Sequence, residues 1–284
     1  MPLTPISFSS SFQYPIPDDV HDDDVKHYLD RALGSFVAME KELAVYEALR
    51  DQPHPNIVRR LETDQPDCLF LERLQPLQEA WSQSEDADRH RWANELLSAL
   101  SWLEHLGFAH GDLAVRNLAV DATKRLKLFD FGSAVPRDHY DYAADVKRDH
   151  FDLATCLHFI LTGVDPFAEA RSARDVAEVR KRLAEGRGSV EAGAEDLADV
   201  IQDGWTGRAG ITAFGALAGR VAQSLGPAGA DGRPGLSDDH YQRLKVRCVE
   251  WLNGATRNPL WLDAEQYCAA CRARGYEVDM DMWR

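Results

Sequence analysis

No window of this 284-residue chain approaches about 18 consecutive uncharged apolar residues, the length a membrane-spanning helix needs. The opening Met1-Pro2-Leu3-Thr4-Pro5 has neither a basic segment nor an apolar run, so no secretory leader is expected. Cations are short as well: 32 basic residues face 47 acidic ones, a net charge of −15. That is the wrong sign for holding a polyphosphate backbone by counterion release, and nucleic acid is not an expected partner. Cysteine is scarce and odd in number. Cys68, Cys156, Cys248, Cys268 and Cys271 suit reduced thiols better than a disulfide framework. Cys268 and Cys271 form a lone C-x-x-C without the second ligand pair that zinc usually takes. These absences point to a cytoplasmic or nuclear protein with no membrane partner. Glycine, finally, is missing before Gly34.

What the chain does have is bulk. It is 44% hydrophobic, with 7 Trp and 11 Phe, enough for one large domain or two smaller lobes at roughly 150 residues per domain. Residues 1 to 25 are rich in Ser, Pro and Asp and read as loop or weak strand. Phe36, Met39, Leu43, Tyr46 and Leu49 have the spacing of an amphipathic helix that stops before Pro53-His54-Pro55. Cys68 to Leu71 is a short apolar run expected to be a buried strand. A helix is predicted over Asp86 to Leu106 with Gly107 as its stop, followed by a loop to Asn117, strand Leu118-Ala119-Val120, a polar turn and strand Leu126 to Phe129. Helices then follow at Phe151 to Leu161, Ala173 to Leu183, Glu195 to Ile201 and Phe214 to Leu225. The stretch 226–237, with its Gly- and Pro-rich run, reads as a linker, and residues 238–284 as a helical appendix.

Two motifs carry the chemistry. His110-Gly111-Asp112-Leu113-Ala114-Val115-Arg116-Asn117 is followed, after the predicted hairpin, by Asp130-Phe131-Gly132. The first resembles the catalytic loop H-R-D-L-x-x-x-N of protein kinases, and the second their D-F-G motif. Asp112 and Asn117 are five positions apart and Asn117 and Asp130 thirteen, a separation that lets a hairpin return the second acid beside the first site. The resemblance implies Asp112 as acceptor of the substrate hydroxyl's proton, Asn117 and Asp130 as Mg²⁺ ligands, and Arg116 as a nearby charge. Phe36 to Leu49 with His54-Pro55-Asn56-Ile57-Val58 is similar to the regulatory helix of the same family and its follow-on. This implies Glu42 as an ion-pairing residue whose partner would be Lys26 on a preceding strand, the pair acting on the ATP phosphates. By the same resemblance Leu71 is the gatekeeper, the backbones of Glu72 and Leu74 face adenine, and Asp149 anchors the catalytic loop.

The departures bear on function. No G-x-G-x-x-G precedes Lys26, Gly111 stands where H-R-D has Arg, and no A-P-E motif lies in the nineteen residues from Asp130 to Asp149. The expected architecture is an α+β, two-lobed, protein-kinase-like fold with a reduced N-terminal β lobe (1–72), a helical C-terminal lobe (73–225), the linker and the appendix. The expected function is ATP- and Mg-dependent transfer of the γ-phosphoryl group to a protein or small-molecule hydroxyl. Two alternatives stay open: a pseudokinase scaffold, and a small-molecule kinase of the aminoglycoside or choline phosphotransferase type, which H-G-D also resembles.

Overall fold

The computed structural model describes residues 6–10, 13, 15, 16, 21–63, 68–208, 210, 212–226, 237–254, 262–278 and 280. In chain order its elements are β1 (Ile6–Ser10), α1 (Asp22–Leu49), β2 (Cys68–Glu72), β3 (Gln75–Pro76), α2 (Leu77–Trp81), α3 (Asp86–His105), β4 (Phe108–Ala109), β5 (Leu118–Val120), β6 (Leu126–Leu128) and β7 (Val135–Pro136). They continue with α4 (Tyr142–Thr162), α5 (Ala173–Ala184), α6 (Ala198–Thr206), α7 (Phe214–Leu225), α8 (Asp238–Gly254) and α9 (Ala264–Ala273). The class is α+β with small antiparallel sheets. The chain divides into two units: residues 1–47, 59–73 and 236–284 form the first, and residues 48–58 and 74–235 the second. Among the described residues no helix is long and apolar enough to cross a membrane.

In the first unit β1 and β2 pair antiparallel, Ile6 opposite Glu72 and Ser10 opposite Cys68. The other edge of β2 is met by Arg60 and Leu61, the Leu61 N–H donating to the Phe70 carbonyl. The helix expected from Phe36 starts at Asp22, so the acidic stretch read as loop opens a helix, the end at which negative charge is favourable. Val25, Ala32, Leu33 and Phe36 on α1 are buried with Tyr267, Cys268 and Cys271 of α9. The segment 238–284, expected as a separate appendix, therefore supplies part of this unit's core. Its other helix, α8, buries Tyr241, Leu244 and Cys248 against Leu61 and Phe70. The expected linker falls almost wholly on residues 227–236, outside those described.

Tyr241 also donates its hydroxyl proton to Glu72 Oε1 at 3.2 Å, and both residues are buried. Removing a hydrogen bond to a buried charged acceptor costs about 1.5–3 kcal/mol. Tyr241→Phe, which keeps the ring in place, is expected to lower the stability of the first unit by about that amount in urea denaturation. An unchanged midpoint would show that the hydroxyl contributes nothing.

The second unit is built on helices α3 and α4. Trp92, Leu96, Leu100 and Leu103 fill the apolar face predicted for α3, which packs on α4 and α7, while α4 packs on α6. Gly204 lets α6 approach closely, because a Cβ there would sit 2.7 Å from the Ala154 Cβ. Trp205 is buried and donates to the Thr155 hydroxyl at 3.0 Å. The helix predicted from Phe151 to Leu161 begins nine residues earlier, at Tyr142, and ends at Thr162, capped by Gly163 with φ +73°.

Candidate active site

Everything that positions the site begins with the β5–β6 hairpin, in which Leu118 pairs with Leu128 and Val120 with Leu126. Helix α3 grips its turn: Trp92 Nε1 and an Arg91 guanidinium nitrogen donate to the Lys124 carbonyl at 2.8 and 3.0 Å. Glu95 Oε2 accepts the Leu126 N–H at 2.8 Å. The His54-Pro55-Asn56-Ile57-Val58 segment lies along the hairpin's outer edge, with Val58 N donating to the Leu128 carbonyl and Leu128 N to the Asn56 carbonyl. Held on both sides, the hairpin brings Phe129 opposite Asn117, whose carbonyl accepts the Phe129 N–H at 3.2 Å. Asp130 is the next residue. Its φ of +67° lies in the left-handed region, where a residue other than glycine is strained and functional sites often store that strain.

Before the hairpin the chain folds into the loop from His110 to Asn117. Asn117 is buried and its Nδ2 donates to the Asp112 carbonyl at 2.8 Å. Arg116 Nη2 lies 2.6 and 2.7 Å from the two Asp112 carboxylate oxygens. Both side chains are substantially exposed, so the pair adds little stability and its effect is to orient the carboxylate. The His110 ring is fully buried against Phe131, centroids 5.4 Å apart. Burial pushes its pKa down, and the carboxylates of Asp112 and Asp130 both act on it in the opposite direction.

The whole loop hangs from one side chain of α4. Asp149 Oδ2 accepts the His110 N–H at 2.7 Å and Oδ1 the Gly111 N–H at 3.0 Å. Burial of this carboxyl raises its pKa to about 7. Gly111 has φ +76°, and a Cβ on it would collide with the Ser133 carbonyl. Its own carbonyl accepts from Arg148 at 3.1 Å. The glycine of H-G-D is thus the point where the catalytic loop and the loop after D-F-G touch backbone to backbone.

Of the residues expected at the site, Asp112, Arg116, Asn117 and Asp130 come together in the second unit. Leu71 and Glu72 are on β2 in the first unit, and Leu74 follows at the start of the second. The placement of Lys26 is a correction. It is an exposed residue of α1, the same helix that carries Glu42, not part of a preceding strand. Sixteen residues at about 1.5 Å rise separate the two by about 24 Å, so they do not form the expected pair. The strand that does precede α1 is β1, Ile6-Ser7-Phe8-Ser9-Ser10, without a lysine. Sequence reasoning overlooked Asp152 and Arg180, which form an ion pair at 2.8 Å beside Asp112. The available signal was the three-residue step from Asp149, one turn along α4.

The donor set suits a hard divalent cation. Asp130 offers a carboxylate, and Asn117, with its Nδ2 turned to Asp112, offers an amide oxygen. Among the described residues no group of three or more His, Cys, Asp or Glu forms a metal cage. Magnesium fits such a site, since it commonly takes one or two protein ligands and completes its shell with phosphates and water.

A family model described as protein tyrosine and serine/threonine kinase matches residues 34–157. Two Escherichia coli proteins named O-antigen chain terminator bifunctional methyltransferase/kinase WbdD are 32% identical over 125 residues and 35% identical over 88 residues. These matches cover 39% and 30% of this chain but 18% and 12% of the relatives, so the chain spans less than a fifth of their length. The family match starts inside α1, beyond Lys26, and ends inside α4, past Asp149. Across that stretch, which holds the loop from His110 to Asn117, the hairpin and their anchor, the chain is similar to the protein kinase-like superfamily.

Proposed function

We propose that this chain is a phosphotransferase that moves the γ-phosphoryl group of ATP to a hydroxyl acceptor. The observation that carries this reading is the convergence of Asp112, Asn117 and Asp130 around the hairpin, with Asp149 holding the loop. Asp112 takes the acceptor's proton while Arg116 fixes the direction of its carboxylate. Asn117 and Asp130 hold Mg²⁺, which, when bound, neutralises charge on the phosphates.

Several features favour a non-peptide acceptor. The nineteen residues from Asp130 to Asp149 are spent on a turn at Phe131 to Ala134, on β7 paired with β4, on a second turn and on the start of α4. They leave no extended platform for a peptide. The relatives named for O-antigen chain termination point the same way. The lysine-free β1 favours a second reading, a pseudokinase scaffold.

Thermal-shift titration with ATP separates the two. Wild type is expected to be stabilised only when Mg²⁺ is present, by about 2.7 kcal/mol at 100 times Kd. Asp130→Asn, which replaces a carboxylate by a poorer ligand, is expected to lose that dependence. Absence of any shift in wild type at millimolar nucleotide would select the scaffold.

A further inference from the structure

Between α4, α5, α6 and α7, wholly within the second unit, lies a cavity of about 650 Å³. The size falls inside the range of about 300–1,000 Å³ that small-molecule sites occupy. Among its described lining residues are none of Asp112, Asn117 and Asp130, so it is separate from the candidate active site. Its floor is apolar: Phe151, Leu157, Val200, Trp205 and Leu217, all buried. The helices around it are already in contact and cannot close over the space. Gly204 of α6 lies so near α4 that a Cβ on it would be 2.7 Å from the Ala154 Cβ, and Trp205 is tied to Thr155 across the same contact. Close-packed interiors leave few voids larger than a water molecule, so a preformed cavity of this size calls for an occupant.

The rim is cationic. Lys147, Arg148, Arg180 and Arg220 line the cavity with a single carboxylate, Asp203. Their side chains reach solvent while the floor does not, which puts the charge at the mouth. Three of the four have acid partners: Arg148 is 2.7 Å from Asp145, Arg180 2.8 Å from Asp152 and Arg220 3.7 Å from Asp203. Among the described residues the Lys147 ammonium has none. Both ring nitrogens of His150, also on the wall, lie against backbone carbonyls, Val146 at 2.8 Å and Thr212 at 2.6 Å. The chain as a whole carries a net charge of −15, so the unmatched cation is a local feature and not part of a general basic surface. A cationic ligand would meet four like charges at the mouth, and an uncharged apolar one would leave the ammonium unused. One carboxylate on an apolar body satisfies both parts, accepting from Lys147 while the body covers the floor. A second negative charge would find no further unmatched cation and would face Asp203.

We propose that this cavity is a binding site for a hydrophobic monocarboxylate, its carboxylate held by Lys147 and its apolar body laid on Phe151, Val200 and Leu217. The site shares α4 with the anchor of the catalytic loop: Asp149 lies between the wall residues Arg148 and His150, and Arg148 donates to the Gly111 carbonyl at 3.1 Å. The ligand is thereby placed next to the support of the loop and not on its reacting atoms.

The test uses the full chain and three probes of equal length, octanoate, 1-octanol and octylammonium, in isothermal titration. Octanoate is expected to bind most tightly, octanol about tenfold more weakly for want of the charge-assisted hydrogen bond, and octylammonium not at all. Along the series hexanoate, octanoate and decanoate, each added methylene is expected to lower Kd about fourfold, as burial of the chain requires. Lys147→Gln is expected to bring octanoate down to the affinity of octanol. Ala144→Trp, at an exposed position of the wall one turn from Lys147, fills the mouth and is expected to abolish binding of every probe. Octanol or octylammonium binding as tightly as octanoate would overturn the proposal. So would octanoate binding that neither variant changes, or no binding of any probe. Lys147→Gln alters only an exposed side chain, so its result decides the matter even where Ala144→Trp fails to fold. ATP takes no part in these measurements, and their failure leaves the phosphotransferase reading standing.

Discussion

Gly111→Arg restores the residue found in H-R-D, yet it is expected to destabilise the second unit by about 3–5 kcal/mol and to abolish any phosphotransfer. The backbone at 111 has φ +76°, a conformation that costs a residue with a Cβ roughly 1–2 kcal/mol. The larger penalty is steric, because the Cβ would run into the carbonyl of Ser133. That obstacle is backbone, and no rotamer change moves it. Nor can residue 111 turn away, since its N–H is held by Asp149 and its carbonyl by Arg148. Rotation would forfeit both hydrogen bonds, one of them to a buried carboxyl. Gly111→Ala, which adds neither length nor charge, is expected to lose nearly as much as Gly111→Arg. Urea denaturation of the two variants decides the matter: an alanine variant within about 1 kcal/mol of wild type would show that the contact with Ser133 relaxes freely.

From the sequence, Gly111 could be read only as the loss of a cation. The steric role depends on Ser133, twenty-two positions later, and on a turn that brings its carbonyl against the loop. The rest of the catalytic region was more legible because it is local. A hairpin of fixed length links Asn117 to Asp130, and the apolar spacing of Trp92, Leu96, Leu100 and Leu103 marks α3 almost to the residue. Asp149 is expected just ahead of a helix from Phe151, whereas it lies inside α4, which starts at Tyr142. Tyr142 and Val146, which continue the helix forward, pack on the small cluster of Ala109 and Val135, too few residues to give a periodic signal.

The first unit was legible at β2 and illegible around Lys26. Helical order from Asp22 to Phe36 depends on Val25, Ala32 and Leu33 being covered by Tyr267, Cys268 and Cys271, residues more than 230 positions away. Local composition there is acidic and polar, and it interrupts the pattern that begins at Phe36. Lys26 lies upstream of Glu42, but upstream within a single helix is a fixed axial distance that no packing shortens. On the phosphotransferase reading proposed above, the phosphate-binding burden then falls on Asn117 and Asp130 in the second unit.

The share of that unit's stability contributed by its buried carboxyls is expected to fall as pH rises from about 4 to 8, with Asp149 the largest contributor, while the imidazoles of His54 and His110, whose pKa values burial lowers, act in the opposite direction. Its carboxyl goes from an ordinary value of 3.8 to about 7 in the folded chain, mainly through burial. Asp152 and Glu95 rise to about 6 for the same reason. Between the unfolded and folded values the native state binds more protons than the unfolded chain, so the stabilisation is complete below about pH 4 and is lost as pH climbs through the folded values. At about 1.4 kcal/mol per pH unit, Asp149 alone accounts for on the order of 4 kcal/mol across that window. Asp149→Asn removes the titration but leaves one amide oxygen to serve the N–H groups of both His110 and Gly111, stranding a buried donor at a cost of about 1–3 kcal/mol. The variant is therefore expected to be less stable than wild type at pH 5, with the gap closing or reversing by pH 8. Urea midpoints for both proteins at pH 5, 6, 7 and 8 test this directly, and parallel curves would mean that Asp149 is already ionised throughout. In that case its charge is sustained by the two N–H donors it holds, and the catalytic loop is anchored to an anion at every pH at which the chain works.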